Sequence, residues 1–326
     1  MSIKSKSRFV AYAMVLMTLL VLGCTSSDGS TSFASSDKGV VISEFQFDTP
    51  SVYHKEDVNL RLVLENQGQK QVTGPTSVFI YGQSVSSSVK HWQQIGAVQV
   101  SPGTMADINS EWSIPNTDFL PPQPEMGVPG GVATFEALLK APELEEGEST
   151  PYTFFTRVCY PYKTSMLATV TSSSRDEMKV QQDTSAIENI NTAGPVHVTL
   201  GGQSNIIARG STIPVIFKIE NVGGGFSTDI VTGCAATPAS TDRDKVKVSI
   251  EVEGFLLDGT AHTMYGNTIT TDCTRTVKLI GGEAELRCSI PIDPNTPSRE
   301  YHIRATAEYK YYIGSDSPIT VDYIIQ

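Results

Sequence analysis

The sequence predicts an all-β fold: two tandem antiparallel sandwiches following a signal peptide and a polar tether. Three observations carry this. Apolar and polar residues alternate with period two over long runs, helical periodicity is almost absent, and 26 Gly and 18 Pro punctuate the 326 residues. The same alternating runs also recur, in the same order, in the two halves of the chain.

The N-terminus comes first. Lys4, Lys6 and Arg8 precede the uncharged apolar run 9–22, and Gly23 stands before Cys24. A helix of that run is about 21 Å long, short of the roughly 30 Å hydrocarbon core, so it reads as a signal h-region rather than a spanning anchor. Residues 1–23 are thus expected to be a lipoprotein-type signal peptide and Cys24 the lipidated first residue of the mature chain; an uncleaved signal-anchor is the alternative. Residues 24–38 are rich in Ser, Thr, Asp and Gly with one aromatic, Phe33, and are expected to be a flexible tether.

The repeat appears when residues 40–172 are laid against 195–325. Val58, Leu60, Leu62 and Leu64 run into Glu65-Asn66-Gln67-Gly68; Ile213, Val215, Phe217 and Ile219 run into Glu220-Asn221-Val222-Gly223. Val78-Phe79-Ile80-Tyr81-Gly82 is set against Ile250-Glu251-Val252-Glu253-Gly254, and Gly130-Gly131 opens a strand as Gly281-Gly282 does. Last, Tyr152, Phe154, Thr156, Val158, Tyr160 and Tyr162 match Tyr301, Ile303, Ala305, Ala307, Tyr309 and Tyr311. Four blocks in one order make two copies of one β-domain, 39–173 and 195–326, separated by a polar linker, 174–194. Six or seven strands per copy, with turns between them, point to immunoglobulin-like topology. Tyr152 and Tyr301 open the late strand, where a sandwich tyrosine often bonds back to the chain.

A strand ending in Glu-Asn-x-Gly, a Gly-terminated strand and a late Tyr-rich strand together resemble the CARDB-type and related immunoglobulin-like modules of bacterial and archaeal surface proteins, and an archaeal surface lipoprotein is the source this resemblance implies. The resemblance implies extracellular presentation or adhesion and no catalytic residues.

Charge narrows the partners. The 24 Lys and Arg against 35 Asp and Glu leave a net of −11, and −14 once the three signal cations are removed. A basic face for nucleic acid or anionic lipid is therefore not expected. His54, His91, His197, His262 and His302 show no ligand spacing, so no zinc-type metal site is expected. Asp242 with Asp244, and Asp293 with Asn295, fit no calcium-loop pattern and read as solvated loops. Glu143, Glu145, Glu146 and Glu148 form one solvated run rather than an acid and base across a cleft. No cofactor motif is present, and an enzyme is not expected.

With Cys24 assigned to lipid, Cys159, Cys234, Cys273 and Cys288 remain, allowing three pairings. The repeat puts Cys288 on a core-facing strand, and Cys234 and Cys273 in two insertions of the second copy. Cys234 with Cys273 is the expected disulfide, stapling about 40 residues for about 3–4 kcal/mol; Cys159 is expected to be free and accessible.

The longest excursion, residues 101–129, carries Pro115, Pro121, Pro122, Pro124 and Pro129. A stiff loop on a rigid sandwich suits recognition, with Trp112, Phe119 and Met126 as the anchors. The alternative is a flap tucked back over its own sandwich. The functional expectation is a lipid-anchored protein at the extracytoplasmic face of the membrane, acting by contact with an envelope protein or a glycan. An accessory subunit of a membrane-bound envelope complex is the second expectation.

Overall fold

The computed structural model describes residues 37–173, 186–202, 204–207, 211–293 and 298–324. The signal peptide, Cys24 and most of the tether lie outside the described residues, as does 174–185 of the expected linker. The described residues belong to one compact unit.

Ten strands carry the repeat. The first copy contributes β1 (Val40–Phe47), β2 (Asp57–Asn66), β3 (Thr76–Tyr81), β4 (Val132–Lys140) and β5 (Ser149–Ser173); the second contributes β6 (Val196–Gly201), β7 (Thr212–Asn221), β8 (Lys245–Val252), β9 (Glu283–Pro291) and β10 (Ser298–Asp322). Each copy has its own small sheet, β1-β2-β4 and β6-β7-β9, both antiparallel. The third, larger sheet belongs to both. Its central order is β8-β10-β5-β3, so the two long strands lie side by side at the middle.

The alternation read from the sequence explains the layers. Val58, Leu60, Leu62 and Leu64 of β2 and Ile213, Val215, Phe217 and Ile219 of β7 are buried, as are Val246, Val248, Ile250 and Val252 of β8. Each small sheet lays its apolar face on the large sheet, and the layers interlock through aromatic rings. Phe47 of β1 meets Phe154 of β5 edge-on at 5.3 Å, and Trp112, beside β3, approaches Phe135 of β4 at 6.2 Å. The chain is thus all-β and built as antiparallel sandwiches.

The register of β5 and β10 joins the copies. They pair antiparallel over all 25 residues, from Ser149 opposite Asp322 to Ser173 opposite Ser298. At about 3.3 Å per residue each strand runs roughly 80 Å. Residues 155–159 of β5 pair with β3, whereas 163–168 of β5 lie opposite the part of β10 that pairs with β8. Each long strand therefore leaves its own sandwich and enters the other. Correspondingly β1 packs over β10, and β6 over β5.

Tyrosines mark the crossing. Tyr160 faces Tyr311 and Tyr162 faces Tyr309, so each copy offers the same two positions to the other, as in an isologous dimer interface written into one chain. All four rings are buried, with centroids 5.9–6.4 Å apart across and along the strands. Burial holds the Tyr160 and Tyr309 phenols well above their ordinary pKa and pushes those of Tyr162 and Tyr311 up to about 12.

Their hydroxyls explain the repeated Glu-Asn-x-Gly. Asn66 Nδ2 donates to Lys70 O at 3.0 Å, its Oδ1 accepts from Gly68 N at 3.0 Å, and Lys70 N donates to the Tyr162 hydroxyl at 3.2 Å. In the second copy Asn221 Nδ2 donates to Gly225 O at 2.9 Å, its Oδ1 accepts from Gly223 N at 3.2 Å, and Gly225 N donates to the Tyr311 hydroxyl at 2.9 Å. The glycine leaves room for the phenol: a Cβ on Gly68 would sit 2.1 Å from Tyr162 Oη, and one on Gly223 2.3 Å from Tyr311 Oη. One block of the repeat shifts. Val78 faces Val158 and Val248 faces Ala307, equivalent positions of the long strands, so Val78 corresponds to Val248 rather than to Ile250, two residues further on. Tyr301 bonds back to the chain, accepting from Asp293 N at 2.7 Å, while Tyr152 instead packs edge-on to Trp92 at 5.6 Å.

Gly68→Ala is expected to cost about 2–3 kcal/mol in urea unfolding through overpacking against the phenol. Adding Tyr162→Phe should restore part of that loss; a double variant less stable than both singles would contradict the steric account.

Candidate binding surface

The small sheets cover one face of the large sheet; the other is covered at the crossing by the segment after Thr228 and is open beyond it, along the β8 side. Lys163, Leu167 and Thr169 of β5 point to that open side between buried neighbours. Reading across β8, β10 and β5 gives three rows: Lys247, Glu308, Lys163; then Ser249, Thr306, Ser165; then Glu251, Arg304, Leu167. Beyond β5 the short strand Asn189–Asn191 adds Ile190 opposite Leu167, and Thr192 closes the hydroxyl row, its Oγ1 accepting from Ser165 N at 2.9 Å. A groove of about 470 Å³ follows these rows, lined by Lys70, Lys163, Ser165, Leu167, Ile190, Thr192, Arg304 and Thr306 among others.

The groove is polar and carries both signs of charge, Lys70, Lys163 and Arg304 with Glu251, and has aliphatic ground at Leu167 and Ile190. Lys163 Nζ lies 3.2 Å from Glu308 and Arg304 3.9 Å from Glu251. Such half-exposed pairs contribute little stability, so a ligand carboxylate or hydroxyl exchanges into them at small cost. The site suits hydrogen bonding to a polar chain or surface loop. Catalysis is another matter. Among the described residues no group of three or more His, Cys, Asp or Glu stands at metal-binding distance. The histidines lie apart, with His91 on Ser86, His302 on Thr169 and His54 against the Tyr323 ring.

Two of the three expected anchors are buried. Trp112 lies under the first sandwich, its Nε1 donating to Pro102 O at 2.9 Å, and Phe119 is enclosed with its carbonyl accepting from Asn66 Nδ2 at 2.9 Å. They serve as core, the flap alternative: residues 112–114 extend the large sheet beside β3, which turns the Trp112 ring onto Phe135 of β4. Met126 alone is open, 70% exposed on the 3-10 turn Pro124–Met126.

The cysteines pair differently from expectation. Cys159 is bonded to Cys234 and Cys273 to Cys288, with Cα–Cα distances of 5.9 and 5.7 Å; the expected Cys234–Cys273 bond is not formed and Cys159 is not free. The reason is where the insertions go. The segment after Thr228 folds over the open face at the crossing, with Ala235 N donating to the Tyr312 hydroxyl at 3.1 Å and Arg157 and Lys310 donating to Ala236 O and Thr232 O. That sets Cys234 on Cys159 and staples the second copy to the first. The other insertion turns inward: Cys273 N donates to Leu257 O at 2.7 Å, and Cys273 is buried against Cys288. Cys159's outward position was readable from alternation with Tyr160, but nothing in the sequence says which loop covers it. The groove residues carried no signal at all, since Thr, Ser and Lys on an open sheet face are ordinary.

No protein-family model and no curated protein matches the chain. Among solved structures it is similar to the collagen adhesin from S. aureus at 8% identity, covering 89% of this chain and 94% of that one with a TM-score of 0.14. It is also similar to the D0-D1 domain of intimin (10% identity, 86% and 95% coverage, TM-score 0.16) and to the collagen-binding domain of Erysipelothrix rhusiopathiae surface protein RspB (10%, 87% and 96%, 0.15). At these TM-scores the likeness carries no argument about function.

Peptide mapping without reductant is expected to recover the 159–234 and 273–288 linkages. Replacing Cys159 and Cys234 together by Ser should cost about 2–4 kcal/mol. A recovered 234–273 linkage would contradict the placement of both insertions.

Proposed function

We propose that this chain is a lipid-anchored cell-surface binding protein that engages a protein or glycan by contact, without catalysis. The observation that carries the reading is the open part of the large sheet's outer face: a groove of hydroxyls and paired charges held on two long strands that the small sheets and the Cys159–Cys234 bond keep from moving apart. Two disulfides suit an oxidising, extracytoplasmic compartment. The run ending in Gly23-Cys24 supplies the export signal and the lipid attachment, with Cys24 the modified residue. Among the described residues no helix is long and apolar enough to cross a membrane. The two copies, 39–173 and 195–326, are tandem modules of the CARDB-type kind, and the groove lies where their long strands run together.

The test uses cells expressing the full chain. Cys24→Ala is expected to move the protein from carbonate-washed membranes to the soluble fraction; retention in the membrane would contradict the lipid anchor. Lys163→Glu with Arg304→Glu, on anchored protein, should reduce cross-linking to its partner about tenfold or more, as expected for charges at a contact. Unchanged cross-linking would remove the groove from the reading. Recurrent cross-links to one membrane complex would identify the partner as that complex, the accessory-subunit case.

A further inference from the structure

The described chain starts at the crossing of the long strands. Lys38 O accepts from the Tyr160 hydroxyl at 2.9 Å, and Gly39 O accepts from Gln67 N at 2.8 Å. Tyr160 is on the covered face of the large sheet, so the chain enters on the side of the small sheets. Next to Gln67, Asn66 fixes the root of the 120–132 hairpin: its Nδ2 donates to Phe119 O at 2.9 Å and its backbone N to Gly131 O at 3.0 Å. Chain entry and hairpin root are thereby held together at the Asn66 end of β2.

The hairpin is stiff and apolar. Gly131 N donates to Leu120 O at 2.9 Å, and Gln123 and Val128 exchange backbone bonds of 2.9 and 3.2 Å. Pro121, Pro122, Pro124 and Pro129 limit its freedom, and Glu125 is its single charged residue. The same excursion that buries Trp112 and Phe119 leaves Met126 at 70%, Leu120 at 49% and Val128 at 46% exposure, and Val132, which opens β4, is 47% exposed. Three aliphatic side chains left open on one stiff hairpin, with a fourth at its foot, mark a contact surface.

The length of chain outside the structure says what covers it. Twelve residues separate Cys24 from Asp37, and whatever their arrangement they reach at most about 45 Å. A lipid on Cys24 thus confines the entry point, and the hairpin beside it, to the first few tens of Å above the leaflet, at a high effective concentration. The overall acidic charge disfavours an electrostatic contact with anionic lipid, whereas a nearly uncharged aliphatic tip suits the interfacial region.

We propose that the 120–132 hairpin is a second membrane contact, with Met126, Leu120 and Val128 entering the outer boundary of the bilayer to which Cys24 is tethered. The proposal rests on the lipid-anchor reading. It orients the molecule: the small sheets face the membrane, and the open groove faces away from it.

The experiment takes purified lipidated protein on phosphatidylcholine vesicles whose acyl chains carry bromine, a quencher of indole emission. M126W is compared with V89W, whose position is 55% exposed and bonded through its carbonyl to Glu143 N at the opposite end of the first small sheet. With the emission of native Trp92 and Trp112, measured on the unsubstituted protein, subtracted, the expected result is quenching of the indole at 126 at least about twofold stronger than at 89, as for a side chain in the interface. Equal quenching at both positions, or none at either while the protein floats with the vesicles, overturns the hairpin contact and leaves the anchor standing. Protein that does not float contradicts the anchor itself, and the proposal falls with it. Absent quenching together with loss of envelope-protein cross-links in Met126→Asp would assign the hairpin to a protein partner instead.

Discussion

The antiparallel pairing of β5 with β10 is the interaction on which the rest depends. Sandwiches joined end to end by a linker are held by chain connectivity, and their relative motion is the ordinary expectation. Here each copy lends half of a 25-residue strand to the other, so separating them would break the central ladder of one sheet and expose four buried tyrosines. Each ring removes about 150–250 Å² from water, and each hydroxyl is tied to backbone or to Asn221, which makes the crossing costly to open. The requirement propagates outward: Gly68 and Gly223 must lack a side chain, and Asn66 and Asn221 must close the turns that bring Lys70 N and Gly225 N to the phenols.

Further consequences come from asymmetry laid over this pseudo-twofold frame. The second copy folds the segment after Thr228 across the open face and bonds Cys234 to Cys159, locking the crossing from the side the tyrosines do not guard. The first copy spends its long excursion on its own sandwich, inserting Trp112 and Phe119 and leaving a short apolar hairpin outside. One face of the molecule thus carries the chain entry and the hairpin. The other carries hydroxyls and paired charges. On the proposed function, one of these unlike faces would turn to the surface the protein stands on and the other to what it meets.

Much of the fold was legible because its signals are local. Period-two alternation located the strands, and Glu-Asn-x-Gly marked two turns whose side-chain bonds are the same in both copies. The extent of β5 and β10 was less legible: past Tyr162 the inward positions become Thr164, Met166, Ala168 and Val170, small or mixed residues that announce no partner. Which strands pair across the copies is a long-range fact with no local signature. The cysteines failed for the same reason. Two residues in neighbouring insertions invite pairing on paper, but one insertion goes over the sheet and the other into the core. Of the three residues expected as anchors, Met126 is exposed, whereas Trp112 and Phe119 are buried and show that an aromatic in a loop reports only that something must cover it.

The direct measurement is native-state hydrogen exchange along β5 and β10 as denaturant is raised. If the long strands make one body, amides at 156–168 and 303–315 should be released together, at a single free energy equal to that of global unfolding. Release of one copy's strands well before the other's would mean that the copies unfold separately and that the tyrosine crossing does not join them.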